Sequence, residues 1–196
     1  MRVDIDEVVE SVLIKLDESP DLLDEAIEYG SPQFDLRELI RNIIVEAAEA
    51  VIISADRESF GEWLPLSGAV RRIGEGSSVG QIFRVPDDFM RLIYLRMSDW
   101  TVGVTELIST GDVSVSLRRH WLSRGCDRVC PPFVAMGYHD GERALEIFGS
   151  VVGSRVAEGG YIPRPRVEEE NKLLFPPSLK HLLTDKLVNI IKEIRK

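Results

Sequence analysis

The sequence predicts an α+β fold made of a helical bundle, an antiparallel β-sheet and hairpin lobe, and a long C-terminal helix. Three observations carry this. Between Asp35 and Asp56, the residues Leu36, Leu39, Ile40, Ile43, Ile44, Ala47, Ala48, Val51 and Ile52 form a helical stripe about six turns long. From Arg91 the period becomes two, with Leu92, Tyr94 and Arg96 on one face and Ile93, Leu95 and Met97 on the other. Helical spacing then returns at the end of the chain, through Leu179, Leu182, Leu183, Leu187, Val188, Ile191 and Ile194. A chain of 196 residues, 44% of them hydrophobic, is expected to bury one proper core, with room for an inserted lobe, so a single domain over 1–196 is predicted. Its parts are an acidic helical region (1–60), a β-rich lobe with an arm (61–160), and an extended linker with the C-terminal helix (161–196).

Taken in order, Ile5, Val8, Val9, Val12, Leu13 and Leu16 predict an amphipathic helix from Asp4 to Asp17, with Asp4, Asp6 and Glu7 where the helix dipole favours them. Ser19-Pro20 ends it, and residues 21–30, closing on Gly30, make a brief second helix or an acidic turn. Asp35, three residues before Glu38, is a plausible cap for the long helix, and Ala47, Ala48 and Ala50 would let another helix approach closely, as in the centre of a bundle. Residues 60–80 read as short extended pieces broken by Pro65 and glycines. Val85 is held extended by Pro86, and Asp87-Asp88 turns the chain into the strand that ends at Ser98-Asp99 and Trp100. With apolar residues on both faces, that strand is expected to be central in its sheet. Val113, Val115 and Leu117 alternate before a polar arm, and Pro131-Pro132 leads into a hairpin whose strands, 133–136 and 144–148, flank Asp140-Gly141, a pair suited to positive φ. Pro163, Pro165 and Glu168 to Glu170 predict an extended, solvated linker, and Pro176-Pro177-Ser178 starts the last helix, with Lys192, Arg195 and Lys196 at its C-terminal end.

Charge is unevenly spread. Residues 1–60 hold 16 acids and 5 bases, and 61–196 hold 17 acids and 19 bases, which gives −11 and +2 of the total −9. This is not the basic footprint of a dedicated nucleic-acid binder. An acidic helix face is either solvated surface, a contact for a basic partner, or a wall that repels passing DNA. No apolar run of membrane-spanning length exists and the N-terminus is acidic where a signal peptide would be basic, so a protein retained in the cell that makes it is expected. Cys126 and Cys130 have neither a disulfide-framework nor a zinc-ligand pattern.

A search for chemistry finds little. His120, His139 and His181 lack metal-ligand spacing and flank no nucleophile motif. Gly74, Gly76 and Gly80 superficially suggest a phosphate loop, but the segment lacks the closing Lys-Ser/Thr and runs on into extended chain at Gln81 to Phe83. Asp87-Asp88 is accounted for as a turn cap. No catalytic, metal-binding or cofactor-binding residue is therefore assigned. The arm residues Arg118, Arg119, Trp121 and Arg124 could stack on nucleic acid, yet arginine and tryptophan are also what protein interfaces enrich, and the interface reading is preferred. The apolar stripe of the last helix, Leu187, Val188, Ile191 and Ile194, either packs on the bundle or docks into a partner, and for this distal half docking on the portal or an adjacent subunit is expected.

The order of these segments resembles the head-tail adaptor (connector) proteins of tailed bacteriophages. The likeness covers about residues 34–194 and rests on VPDDFMRLIYLRMSDW, the arm HWLSRGCDRVCPPFVAM, the strand ALEIFGS, the extended YIPRP and the helix FPPSLKHLLTDKLVNIIKEI. The N-terminal 30 residues match no feature of that pattern. The resemblance implies a structural virion protein without enzymatic activity, made in the host cytoplasm. It implies a homo-oligomeric ring of about twelve copies between the portal vertex and the tail, partnered by the portal protein and by the tail or a further adaptor ring. The ring would extend the channel through which DNA passes, without sequence-specific binding, at genome ejection. Two other classes stay open: a small cytoplasmic enzyme or nucleotide-binding protein using residues 74–80 and Asp87-Asp88, and an acidic regulatory interaction domain.

Overall fold

The computed structural model describes residues 1–17, 36–73, 80–108, 132–151 and 153–195. The predicted second helix at 21–30, the Asp35 cap, the glycine-rich tip at 74–79 and the arm from 109 to 131 lie outside the described residues. Helices and antiparallel sheets are both present, as an α+β fold requires. The chain forms two compact units, Met1–Trp63 with Arg164–Lys196, and Leu64–Pro163. The β-rich lobe is thus an insertion in a helical unit. Its first and last strands explain how it closes on itself, because β2 (Leu64–Pro65) pairs with β9 (Val156–Pro163) and holds the entering and leaving chains side by side.

In the helical unit, β1 (Val3–Asp4) leads directly into α1 (Ile5–Asp17). Asp4 caps that helix, its Oδ1 accepting from the N–H of Asp6 at 2.9 Å and of Glu7 at 3.2 Å. Helix α2 (Leu36–Ser54) buries Ile40, Ile44, Ala47, Ala48, Val51 and Ile52, the stripe its sequence predicts. A 3-10 turn at Pro177–Leu179 then starts α3 (Lys180–Ile194). Arg37 bonds Glu10 and Arg41 bonds Asp6, so α1 and α2 run antiparallel; Lys180 bonds Glu7 and Lys15 bonds Asp185, so α1 and α3 run the same way. The expectation that α2 is the central helix is corrected: α3 packs extensively on both α1 and α2, which touch each other less. The physical reason is its wide stripe, with Leu183, Thr184, Leu187, Val188 and Ile191 all buried.

The predicted linker is also more structured than expected. Tyr161 to Pro163 belong to β9, and β10 (Val167–Glu168) pairs with β11 (Lys172–Leu173), which also pairs with β1. The prolines forbid helix, and the chain meets its backbone needs by strand pairing.

The β unit contains β3 (Val70–Ile73), β4 (Gly80–Arg84), β5 (Phe89–Met97), β6 (Leu107–Ile108), β7 (Phe133–His139) and β8 (Glu142–Phe148), together with β2 and β9. Two sheets form, in the orders β2-β9-β5 and β3-β4-β8-β7-β6. They share one core: Leu92, Leu95, Met97 and Tyr161 from the first cluster with Phe83, Val134, Leu145 and Ile147 from the second. Among the described residues, strand β5 is last in the order of its sheet, beside β9, with a single bridge from Leu95 to Val104 on its other side, which corrects the expected central position. Burial on both of its faces comes instead from register irregularities, one between Leu92 and Tyr94, that bring residues of opposite parity, Leu92 and Leu95, into one cluster. The β7–β8 hairpin is as predicted, with Asp140 at φ 54° and Gly141 at φ 81° in its two-residue turn and Phe133 stacked on Phe148 at 4.3 Å.

Candidate interaction surface

The corner that the sequence singles out is built from both sheets of the β unit. Val85, held extended before Pro86, leaves β4, and the N–H of Phe89 donates to the Pro86 carbonyl at 3.0 Å to close the turn over Asp87-Asp88. Asp88 accepts from the Tyr161 hydroxyl of β9 at 3.1 Å, whereas Asp87 is exposed, so the pair serves as turn chemistry. Arg143 of β8 donates to the Phe89 carbonyl at 2.9 Å and lies over the Phe89 ring, which itself stacks on Tyr161. At the far end of β5, Trp100 is buried and donates from Nε1 to the Gly149 carbonyl at 2.9 Å. Beside it Asp99 accepts from Ser150 Oγ at 2.8 Å and from the Val151 N–H at 2.6 Å. Burial pushes the Asp99 carboxyl up, but these bonds, together with Ser154 and its own N–H, outweigh burial and leave it below the usual carboxylate range.

One carboxylate escaped sequence reasoning. Glu146 is buried on β8, and His139 Nε2 lies 2.9 Å from its Oε1. Gly137 makes the space, since a Cβ there would sit 2.6 Å from that oxygen. The signal was faint: a Glu in an apolar strand, opposite Ala135 on β7 and Ile82 on β4.

The arm candidates Arg118, Arg119, Trp121 and Arg124 lie outside the described residues. Its two ends are described. The chain leaves from β6 and returns into β7, and these strands are parallel neighbours, Leu107 opposite Val134 and Ile108 opposite Ala135. In α3, Leu187, Val188 and Ile191 are buried within the helical unit, so their apolar area is already covered by the chain's own helices. Ile194 is different. It is 55% exposed in the last turn and is the one of the four that offers apolar surface.

Gly80 opens strand β4, and the glycine-rich segment before it joins antiparallel strands, whereas a phosphate loop leads from a strand into a helix. Among the described residues no grouping of three or more His, Cys, Asp or Glu could hold a metal ion, and no helix is long and apolar enough to cross a membrane. Comparison of the chain with protein-family models and with curated proteins finds no match.

Proposed function

We propose that this chain is a ring-forming adaptor between the portal vertex and the tail of a tailed bacteriophage, a structural component of the virion with no catalytic step. The observation that carries the reading is the order of folded elements on which the resemblance rests. A proline corner feeds β5 and ends on buried Trp100, the arm sequence lies between β6 and β7, a proline-entered hairpin follows, and a proline-started helix closes the chain. In this reading the arm, with Arg118, Arg119, Trp121 and Arg124, reaches a neighbouring subunit, and exposed Ile194 contributes at the end of α3.

Charge supports the same use. The helical unit carries the whole net charge of −9, and walls that do not bind phosphate let DNA slide, because each phosphate contacted adds affinity and therefore friction. Replacing Trp121 by Ala tests the proposal. An arm anchor of this type is worth about 2 kcal/mol or more, so the variant is expected to remain folded as a monomer, to drop out of particles and to leave them without tails. Normal incorporation with tails attached would remove the arm from the assembly.

A further inference from the structure

Among the described residues, strand β3 stands last in the order of the five-stranded sheet and has β4 as its one neighbour. Alternate residues of such a strand turn their N–H and C=O groups away from the neighbour, which leaves donors and acceptors unpaired along the edge. Arg71 and Arg72 are both exposed, and consecutive strand residues point to opposite faces, so their guanidiniums flank the edge above and below. Across on β4 they face Ile82 and Gln81, neither of which is a carboxylate. Neither arginine has a hydrogen-bond or ion-pair partner among the described residues, whereas Arg84 on β4 is paired with Glu142.

We propose that the open edge of β3 receives an extended acidic segment of a partner protein, which adds a strand to the sheet and sets two consecutive carboxylates opposite Arg71 and Arg72. Backbone pairing supplies the affinity and the two charge pairs supply the selection. A second copy of β3 is not the occupant, because antiparallel self-pairing sets arginine against arginine. Nucleic acid fits less well. A phosphate only accepts hydrogen bonds, while the edge offers carbonyl acceptors as well as N–H donors, and a peptide strand satisfies both. This inference is independent of the ring reading.

The test is a titration of the full, 15N-labelled chain followed by amide chemical shifts. The probes are the peptide Thr-Val-Glu-Asp-Val-Thr, its counterpart with Lys-Lys in place of Glu-Asp, and a ten-nucleotide oligothymidine. Saturable shifts over residues 70–73 and along β4 are expected with the acidic peptide, with binding at least tenfold weaker for the lysine peptide. The R71E/R72E double variant should invert that preference. If it does not fold, Arg72→Gln alone, at an exposed site, should weaken the acidic peptide severalfold. No shift on β3 with the acidic peptide, equal response to both peptides, or tighter binding of the oligonucleotide at the same amides would each overturn the assignment.

Discussion

The helical unit and the β unit handle charge in opposite ways. Leu64–Pro163 contains eleven arginines, no lysine and eleven Asp or Glu residues, so it is balanced; the helical unit holds the remaining 13 of 24 bases, all six lysines among them, and 22 of 33 acids. In the helical unit four of those bases lie along helix seams, where Arg37, Arg41, Lys15 and Lys180 reach carboxylates on adjacent helices. The pair on Asp6 is clear enough that Arg41, chiefly through its hydrogen bond, holds that carboxyl below its ordinary value. Such exposed pairs orient helices more than they stabilise them. The β unit has paired arginines too, Arg96 with Glu158 and Arg84 with Glu142, yet Arg71 and Arg72 on β3 have no partner among the described residues. Charge in the first unit is seam and solvation, and in the second the proposed β3 contact would use part of it for recognition.

The largest effect that can sharpen this contrast is in α3. Ending the chain after Asp185 removes Leu187, Val188 and Ile191 at about 2 to 5 kcal/mol for each buried aliphatic side chain, against a total domain stability of about 5 to 15 kcal/mol. The helical unit is expected to unfold, seen as loss of its cooperative thermal transition, while Ile194→Ala changes the melting temperature little because that side chain is exposed. A truncated chain that melts like the full one would show that the stripe is not used internally. In the β unit, Gly159→Ala comes next. Its Cβ would meet Leu66 Cβ at 2.9 Å and Leu95 Cδ1 at 3.3 Å, and overpacking of that kind costs about 1 to 3 kcal/mol, measurable as a lowered urea midpoint.

Smaller effects belong to the turns. Gly141→Ala at φ 81° meets nothing in space but must adopt a left-handed backbone, at a cost of about 1 kcal/mol, so its urea midpoint should fall less than that of Gly159→Ala. Asp99 supplies a pH signature. Its folded value lies below its unfolded one, so its contribution is complete above the ordinary carboxylate pKa of about 3.9 and is lost as pH falls through the lowered folded value. Asp99→Asn is therefore expected to be less stable than the native chain near neutrality, with the gap closing below about pH 4. A gap that stays constant down to pH 2 would mean the charge is not what the loop around Ser150 and Val151 uses.

Much of this was legible where local chemistry decides structure. The stripe from Leu36 to Ile52, the Asp140-Gly141 turn, the corner at Pro86 and the proline-started helix all follow from rules that act over a few residues. What escaped the sequence depends on long-range pairing. The position of β5 in its sheet is set by β9, some 60 residues later in the chain. Likewise Glu146 could not be read as buried without knowing that Gly137 leaves room for it. The candidate surface divides the same way. The stripe could be named, but which of its residues α1 and α2 already cover could not, since a period shows a face and not its occupant.

The central claim is that copies of this chain assemble with a portal, and native mass spectrometry of the chain co-expressed with the portal protein of the same virus tests it most directly. The account predicts a complex containing many copies of the 22.1 kDa chain bound to the portal ring, lost on Trp121→Ala. A species of 22.1 kDa alone at every concentration, with the portal separating free of it, would contradict the account.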